Sequence, residues 1–127
     1  MNKLEYSDLV KRKMIKLKKW LTEHYDLNTA MSILSEMMTD ADRLKEYEES
    51  GTNIAETYGM ETDYWYLFTH QHYLLYRFEP GKVTVVQMFN EKENFMMKLF
   101  GISGRSQESL YYWGDSSISM QSFSTFQ

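Results

Sequence analysis

Two neighbouring stretches of this 127-residue chain gather side chains that can handle a phosphodiester. Arg77 shares one apolar run with Tyr73 and Tyr76, His70 and His72 stand at the start of that run, and Asn90, Glu91 and Lys92 follow the next one. An RNA phosphodiester can be cleaved by its own 2′-hydroxyl. A protein promoting that reaction needs a base, an acid and cations that hold the charge building on the phosphoryl oxygens. Arg77 and Lys92 are the candidate cations, and His70 or His72, Glu91 or Tyr73 the candidate proton carriers. The candidate catalytic set is Arg77, Lys92, Glu91, His72 and Tyr73. The same residue types also occur as plain polar decoration of a sheet, and the spacing leaves both readings open.

A second feature is the separation of charge along the chain. Lys3, Lys11, Arg12, Lys13, Lys16, Lys18 and Lys19 crowd the N-terminal segment against Glu5 and Asp8, whereas the stretch from Glu36 to Asp63 is acidic apart from Arg43 and Lys45. Lys11, Arg12, Lys16 and Lys19 are therefore RNA-binding candidates, the alternative being two solvated helix faces of opposite sign. The net charge of −4 does not decide between them, since a local patch suffices.

Other chemistries are narrowed by composition. There is no Cys, so disulfides, thiolate zinc sites and Cys nucleophiles are excluded. No phosphate-cradling loop, dinucleotide fingerprint, zinc-protease motif or nucleophile elbow is present, and no cofactor is expected. His24, His70 and His72 are the only histidines, and a turn is predicted at His70, so no metal is expected either. Charges at Lys3, Glu5, Asp8 and Lys11 break any leader-like apolar run, and no stretch reaches the ~20 apolar residues of a membrane span. The cytoplasm is the expected compartment.

The elements that must position these groups follow from periodicity. Lys3 to Tyr6 alternates as a short strand, with Ser7 or Asp8 as a helix N-cap. Val10, Met14, Leu17, Leu21 and Tyr25 then step at helical spacing. A break at Tyr25 to Asn28 offers Asp26 or Asn28 as the next cap. Ala30, Leu34, Met37, Ala41 and Leu44 make a second helical stripe that is predicted to fade near Glu48–Ser50, with Gly51 as its stop. Residues 52–62 read as irregular. Strands are predicted over Asp63–Thr69, His72–Phe78 and Lys82–Phe89, the last two joined through Glu79-Pro80-Gly81-Lys82. That turn places Phe78 opposite Val83, Arg77 opposite Thr84 and Tyr73 opposite Met88. A short helix is predicted from Glu91 to Phe100. The fold class is α+β: a helical hairpin packed on a small antiparallel sheet, in the order β-α-α-β-β-β plus a short C-terminal helix. Residues 1–101 form the predicted domain. Residues 102–127 form a Ser-rich tail with an aromatic cluster at Leu110-Tyr111-Tyr112-Trp113, expected either to be partly disordered or to anchor a partner.

The stretch His72-Tyr73-Leu74-Leu75-Tyr76-Arg77-Phe78-Glu79-Pro80-Gly81-Lys82-Val83, continued by Phe95-Met96-Met97-Lys98-Leu99-Phe100-Gly101, resembles the RelE/ParE family of toxins from bacterial toxin–antitoxin pairs. The opening Leu4-Glu5-Tyr6-Ser7 and the charged helical hairpin fit the beginning of that family, so the likeness spans residues 1–101. It implies a toxin that is held inactive by a cognate antitoxin in a hetero-oligomer. Some members cleave mRNA on the ribosome and others poison DNA gyrase. Arg77 matches the family's strand arginine, and Glu91-Lys92 its Glu-Arg/Lys pair. Asn90 takes a position often held by His, Gln87 one often held by Arg, Glu93 one where a basic residue is frequent, and Asn94 one where Asp is common. The resemblance thus implies a toxin that blocks translation by ribosome-associated mRNA cleavage without metal, the alternatives being a non-catalytic inhibitor of DNA gyrase or an inactive interaction protein that keeps the fold.

Overall fold

The computed structural model describes residues 1–100, and the expectations for the tail at 102–127 lie outside them. The chain divides into two compact units, Met1–Glu91 and a second that begins at Lys92.

In the first unit, β1 (Lys3–Tyr6) leads into α1 (Asp8–His24) and α2 (Leu27–Asp42). Ser7 caps α1 by accepting from the Val10 N–H, and Asp26 caps α2 by accepting from the Thr29 N–H at 2.6 Å. β3 (Trp65–Thr69), β4 (His72–Glu79) and β5 (Lys82–Asn90) form the antiparallel meander expected from the sequence. Together with β1 and β2 (Thr52–Asn53) they make a five-stranded sheet in the order β1-β5-β4-β3-β2. The helices cover one face of it. Val10, Met37 and Ala41 pack against Leu74, Tyr76, Val83, Val85 and Met88, all buried.

Five expectations need correction. The sheet is mixed, because β1 runs parallel to β5; the helical hairpin between them carries the chain back over the sheet. α2 ends at Asp42, and one tight helical turn (Arg43–Lys45) brings Leu44 into the core. Gly51 does not terminate that helix. It lies where a Cβ would come within 2.5 Å of both the Tyr66 carbonyl oxygen and the Tyr76 hydroxyl, so it is needed for close approach. Residues 52–62, read as irregular, contain β2 and α3 (Ile54–Tyr58), which Asn53 caps through the Glu56 N–H.

The fourth correction concerns register. Phe78 does face Val83 and Arg77 does face Thr84, but Tyr73 faces Phe89 rather than Met88. Leu75 pairs with Gln87 and Tyr76 with Val85, which leaves Val86 as an extra residue in a bulge. Its carbonyl accepts from the Ser7 hydroxyl at 3.1 Å instead. Lastly, the residues after β5 form a turn rather than a helix, and in the second unit α4 starts at Phe95 and runs to Phe100. Asn94 caps it, accepting from the Met97 N–H at 3.1 Å.

Candidate functional site

Strand alternation assigns the candidate residues to faces. Leu74, Tyr76 and Phe78 pack toward the helices, so Tyr73, Leu75 and Arg77 project from the opposite face of β4. Tyr73 there meets Tyr66 edge-on at 5.1 Å between ring centres and Phe68 at 4.9 Å. Phe68 remains 48% exposed. The Tyr73 phenol is pushed up, first by burial, then by Tyr66 and Glu91.

Arg77 sits further along the same face. One terminal nitrogen donates to Asp63 Oδ2 at 2.6 Å, and the guanidinium lies 5.6 Å from the centre of the Tyr64 ring. Asp63 is the main cause that holds this guanidinium above its ordinary pKa. Sequence reasoning missed Asp63, which stands fourteen residues away at the entrance to β3. Only the β3–β4 register brings the two together.

His72 belongs by alternation to the helix side of the sheet. Its Nδ1–H donates to the His70 carbonyl at 2.8 Å, and burial is the first cause that lowers its pKa. His70 Nε2 lies 3.0 Å from Glu36 Oε1 on α2. His70 and Gln71 form the two-residue turn with positive φ angles of 48° and 61°, a conformation that side chains adopt at a cost of about 1–2 kcal/mol each. The Glu91 N–H closes this end of the sheet by donating to the Gln71 carbonyl at 2.7 Å.

The expected set therefore splits. His72 pairs with Asn90 and Arg77 with Thr84, so Arg77 stands about 17 Å along the ladder from the end that carries Glu91. His72 and Tyr73 point to opposite faces. Lys92 opens the second unit. Lys11, Arg12, Lys16 and Lys19 are exposed on α1, across the sheet from Arg77 and Tyr73. Among the described residues no three His, Asp or Glu side chains gather as a metal site, and no helix is long and apolar enough to cross a membrane.

Lys13 departs from its basic neighbours. It is 2% exposed, and its ammonium donates to Gln87 Oε1 and to the Met88 carbonyl, both at 2.8 Å, while lying 4.7 Å from the centre of the Phe89 ring. On α2, Leu27, Met31, Leu34 and Met38 recur at helical spacing, and Leu27, Met31 and Met38 are exposed. An open groove of about 540 Å³ runs along Met31, Leu34, Ser35, Met38, Thr39 and Asp42.

This arrangement of elements is found among solved structures. A chain of "Chromosomal ParDE TA system from P. aeruginosa" matches with a TM-score of 0.60 and 9% identity, over 71% of this chain and 96% of that chain. The fold is ParE-like. No family model matches the sequence, and no curated protein matches it. At 9% identity the likeness carries the ParE-like backbone and no residue roles. The roles rest on the geometry above.

Proposed function

We propose that this chain is the toxin of a type II toxin–antitoxin pair, restrained in the cytoplasm by a cognate antitoxin and acting by binding a protein target. Of the two targets that the family resemblance offers, DNA gyrase is the one reached by protein binding alone. The observation carrying the non-catalytic part is the dispersal of the candidate catalytic residues: Arg77 lies about 17 Å along the ladder from Glu91, and His72 and Tyr73 share no face. General acid–base catalysis requires groups within hydrogen-bond reach of the same reacting atoms. The ParE-like backbone supports the toxin part. The exposed Leu and Met stripe of α2 supports the antitoxin part, because flexible Met side chains adapt to an incoming chain and exposed apolar patches mark interfaces.

Inducible expression in bacteria tests the reading. Growth arrest is expected from this chain alone, with relief on co-expression of a neighbouring antitoxin frame. Purified protein at a stoichiometric ratio is expected to stop gyrase supercoiling. Untouched supercoiling would remove gyrase as the target, and unimpaired growth would leave an interaction protein that keeps the fold.

Translational block by ribosome-associated mRNA cleavage is the second reading. It is favoured by Tyr73 and Glu91, which lie at the same end of the sheet with Glu91 among the groups that raise the Tyr73 phenol. Mapping of mRNA 5′-ends in cells expressing wild type, Tyr73→Phe and Glu91→Gln distinguishes it. New ends that vanish in both variants support cleavage.

A further inference from the structure

The two helices of the hairpin carry opposite charge. Along α1 the Lys and Arg side chains outnumber Asp8 and Glu23. Along α2 there are Glu36, Asp40 and Asp42 and no Lys or Arg. Each helix also leaves large apolar side chains in solvent, Ile15 at 69% exposure on α1 and Met31 and Met38 on α2. Apolar groups held out together on both members of one hairpin mark an interaction surface.

The open groove on α2 selects by chemistry. Met31, Leu34 and Met38 make it apolar, Ser35 and Thr39 add hydroxyls, and Asp42 supplies the charge. That carboxylate stands at the C-terminal end of the helix, where a cation is favoured. Lys45 meets its Oδ1 at 3.0 Å, and 58% of the Asp42 side chain remains exposed. The groove therefore suits an apolar side chain with a cation one helical turn away.

Helix α1 presents that pair in matching order. Lys11, Ile15 and Lys18 are exposed and share one face of the helix at i, i+4 and i+7. Asp42, Met38 and Ser35 have the same spacing in the reverse direction. An antiparallel α1 thus brings Lys11 to Asp42, Ile15 to Met38 and Lys18 to Ser35. Within one chain, among the described residues, Lys11 forms no ion pair and Asp42 pairs with Lys45. Two copies related by a two-fold axis parallel to the hairpin make both matches at once, since each α1 then lies antiparallel across the other's α2. Helices of 17 and 16 residues, about 25 Å long and ~10 Å apart, offer a face of about 500 Å² per copy. Two such faces bury about 1,000 Å², the level that a specific interface clears.

We propose that the chain forms a two-fold homodimer through its helical hairpin, with Lys11 of each copy on Asp42 of the other and Ile15 on Met38. The dimer occupies the α2 stripe that the toxin reading gives to the antitoxin, so the two partners exclude one another. Its existence does not rest on that reading.

Sedimentation equilibrium of the full chain between ~1 and ~100 µM tests it, because a dimer's population depends on concentration. Twice the chain mass of 15.2 kDa is expected at the upper end. Lys11→Glu sets like charges against each other at both symmetry-related contacts and is expected to weaken the dimer about 100-fold. The swap Lys11→Glu/Asp42→Lys is expected to restore affinity to within about 10-fold of wild type. Ile15→Lys, at an exposed position, should also weaken the dimer and serves if a charge variant loses helix content by circular dichroism. The chain has no Cys, so a mixture of Ile15→Cys and Met38→Cys proteins is expected to form a disulfide-linked pair under mild oxidation. A monomer throughout this range overturns the proposal, as does a dimer unmoved by Lys11→Glu and Ile15→Lys. A monomer that pairs only with an antitoxin overturns it too, while leaving the toxin reading intact.

Discussion

The ammonium of Lys13 and the side-chain oxygen of Gln87, 2.8 Å apart, tie α1 to the edge of β5. β1 stops at Tyr6 opposite Val85, and among the described residues no strand pairs with the outer edge of β5 beyond that point. Gln87 Oε1 accepts from the Met88 N–H at 3.1 Å, and Lys13 donates to the Met88 carbonyl. Ser7 satisfies Val85 and Val86 in the same way, through its backbone N–H and its hydroxyl. Ser7 and α1 thus satisfy the backbone carbonyls of Val85, Val86 and Met88 along this edge of the sheet.

Lys13→Met is accordingly expected to cost about 1–3 kcal/mol of stability, because the buried Met88 carbonyl loses its donor. Gln87→Arg brings a second cation against the buried ammonium and is expected to cost more. The double variant should recover part of that loss, since the repulsion disappears with Lys13. Urea denaturation of the four proteins checks this, and additive effects would show that the two residues are not coupled.

Tyr76 and Gly51 make a second coupled pair. The Tyr76 hydroxyl donates to the Glu48 carbonyl at 2.7 Å and accepts from the Gly51 N–H at 3.2 Å. Tyr76→Phe leaves both backbone groups short of a partner, with an expected loss of about 1–3 kcal/mol. Gly51→Ala is expected to destabilise even when combined with Tyr76→Phe, because the Tyr66 carbonyl oxygen still lies 2.5 Å from the new Cβ. Thermal melts of the two single variants and the double variant decide it.

Burial pushes the Tyr76 phenol up to about 12 from 10. The unfolded chain therefore loses this proton first as pH rises. Stability is fully present below pH 10 and should decline between about 10 and 12. Tyr76→Phe should flatten that part of the profile, as read by denaturation midpoints across alkaline pH.

His72 acts at the other end of the pH scale. Burial lowers its pKa from 6.5, so the unfolded state binds the proton first as pH falls. Stability from the neutral imidazole is present above pH 6.5 and is lost progressively below it. Wild type should lose more stability than His72→Asn between about pH 6.5 and 5. Parallel profiles would show that His72 does not drive the change.

Arg77 separates folding from function. Its ion pair with Asp63 joins two exposed groups, so Arg77→Ala is expected to change stability by no more than about 1 kcal/mol. If Arg77 contacts the target, the same variant should relieve growth arrest while retaining the wild-type melting temperature. Full arrest by Arg77→Ala would place the target surface elsewhere.

Much of the architecture was legible because local patterns encode it. The helical stripes, the caps at Ser7 and Asp26 and the Pro80-Gly81 turn, where Gly81 takes a φ of +85°, all depend on neighbours within four residues. Short elements escaped for the same reason. Thr52–Asn53 carries no periodicity and becomes a strand only because Tyr66 and Trp65 offer it an edge. The bulge at Val86 left no local mark, and it moved Tyr73 by one partner.

The sequence by itself determined the helical hairpin, the β-meander and the basic character of α1, since spacing and turn chemistry decide them before any long-range contact forms. The tertiary structure alone decided what the charged groups do. It buried Lys13 beside Gln87 while its neighbours stayed in solvent, set Asp63 on Arg77, and drew Glu91 and Arg77 to opposite ends of one ladder. The physical reason is that strand register and sheet edges bring together residues far apart in sequence, such as Lys13 and Gln87, and a one-residue bulge is enough to change those pairings.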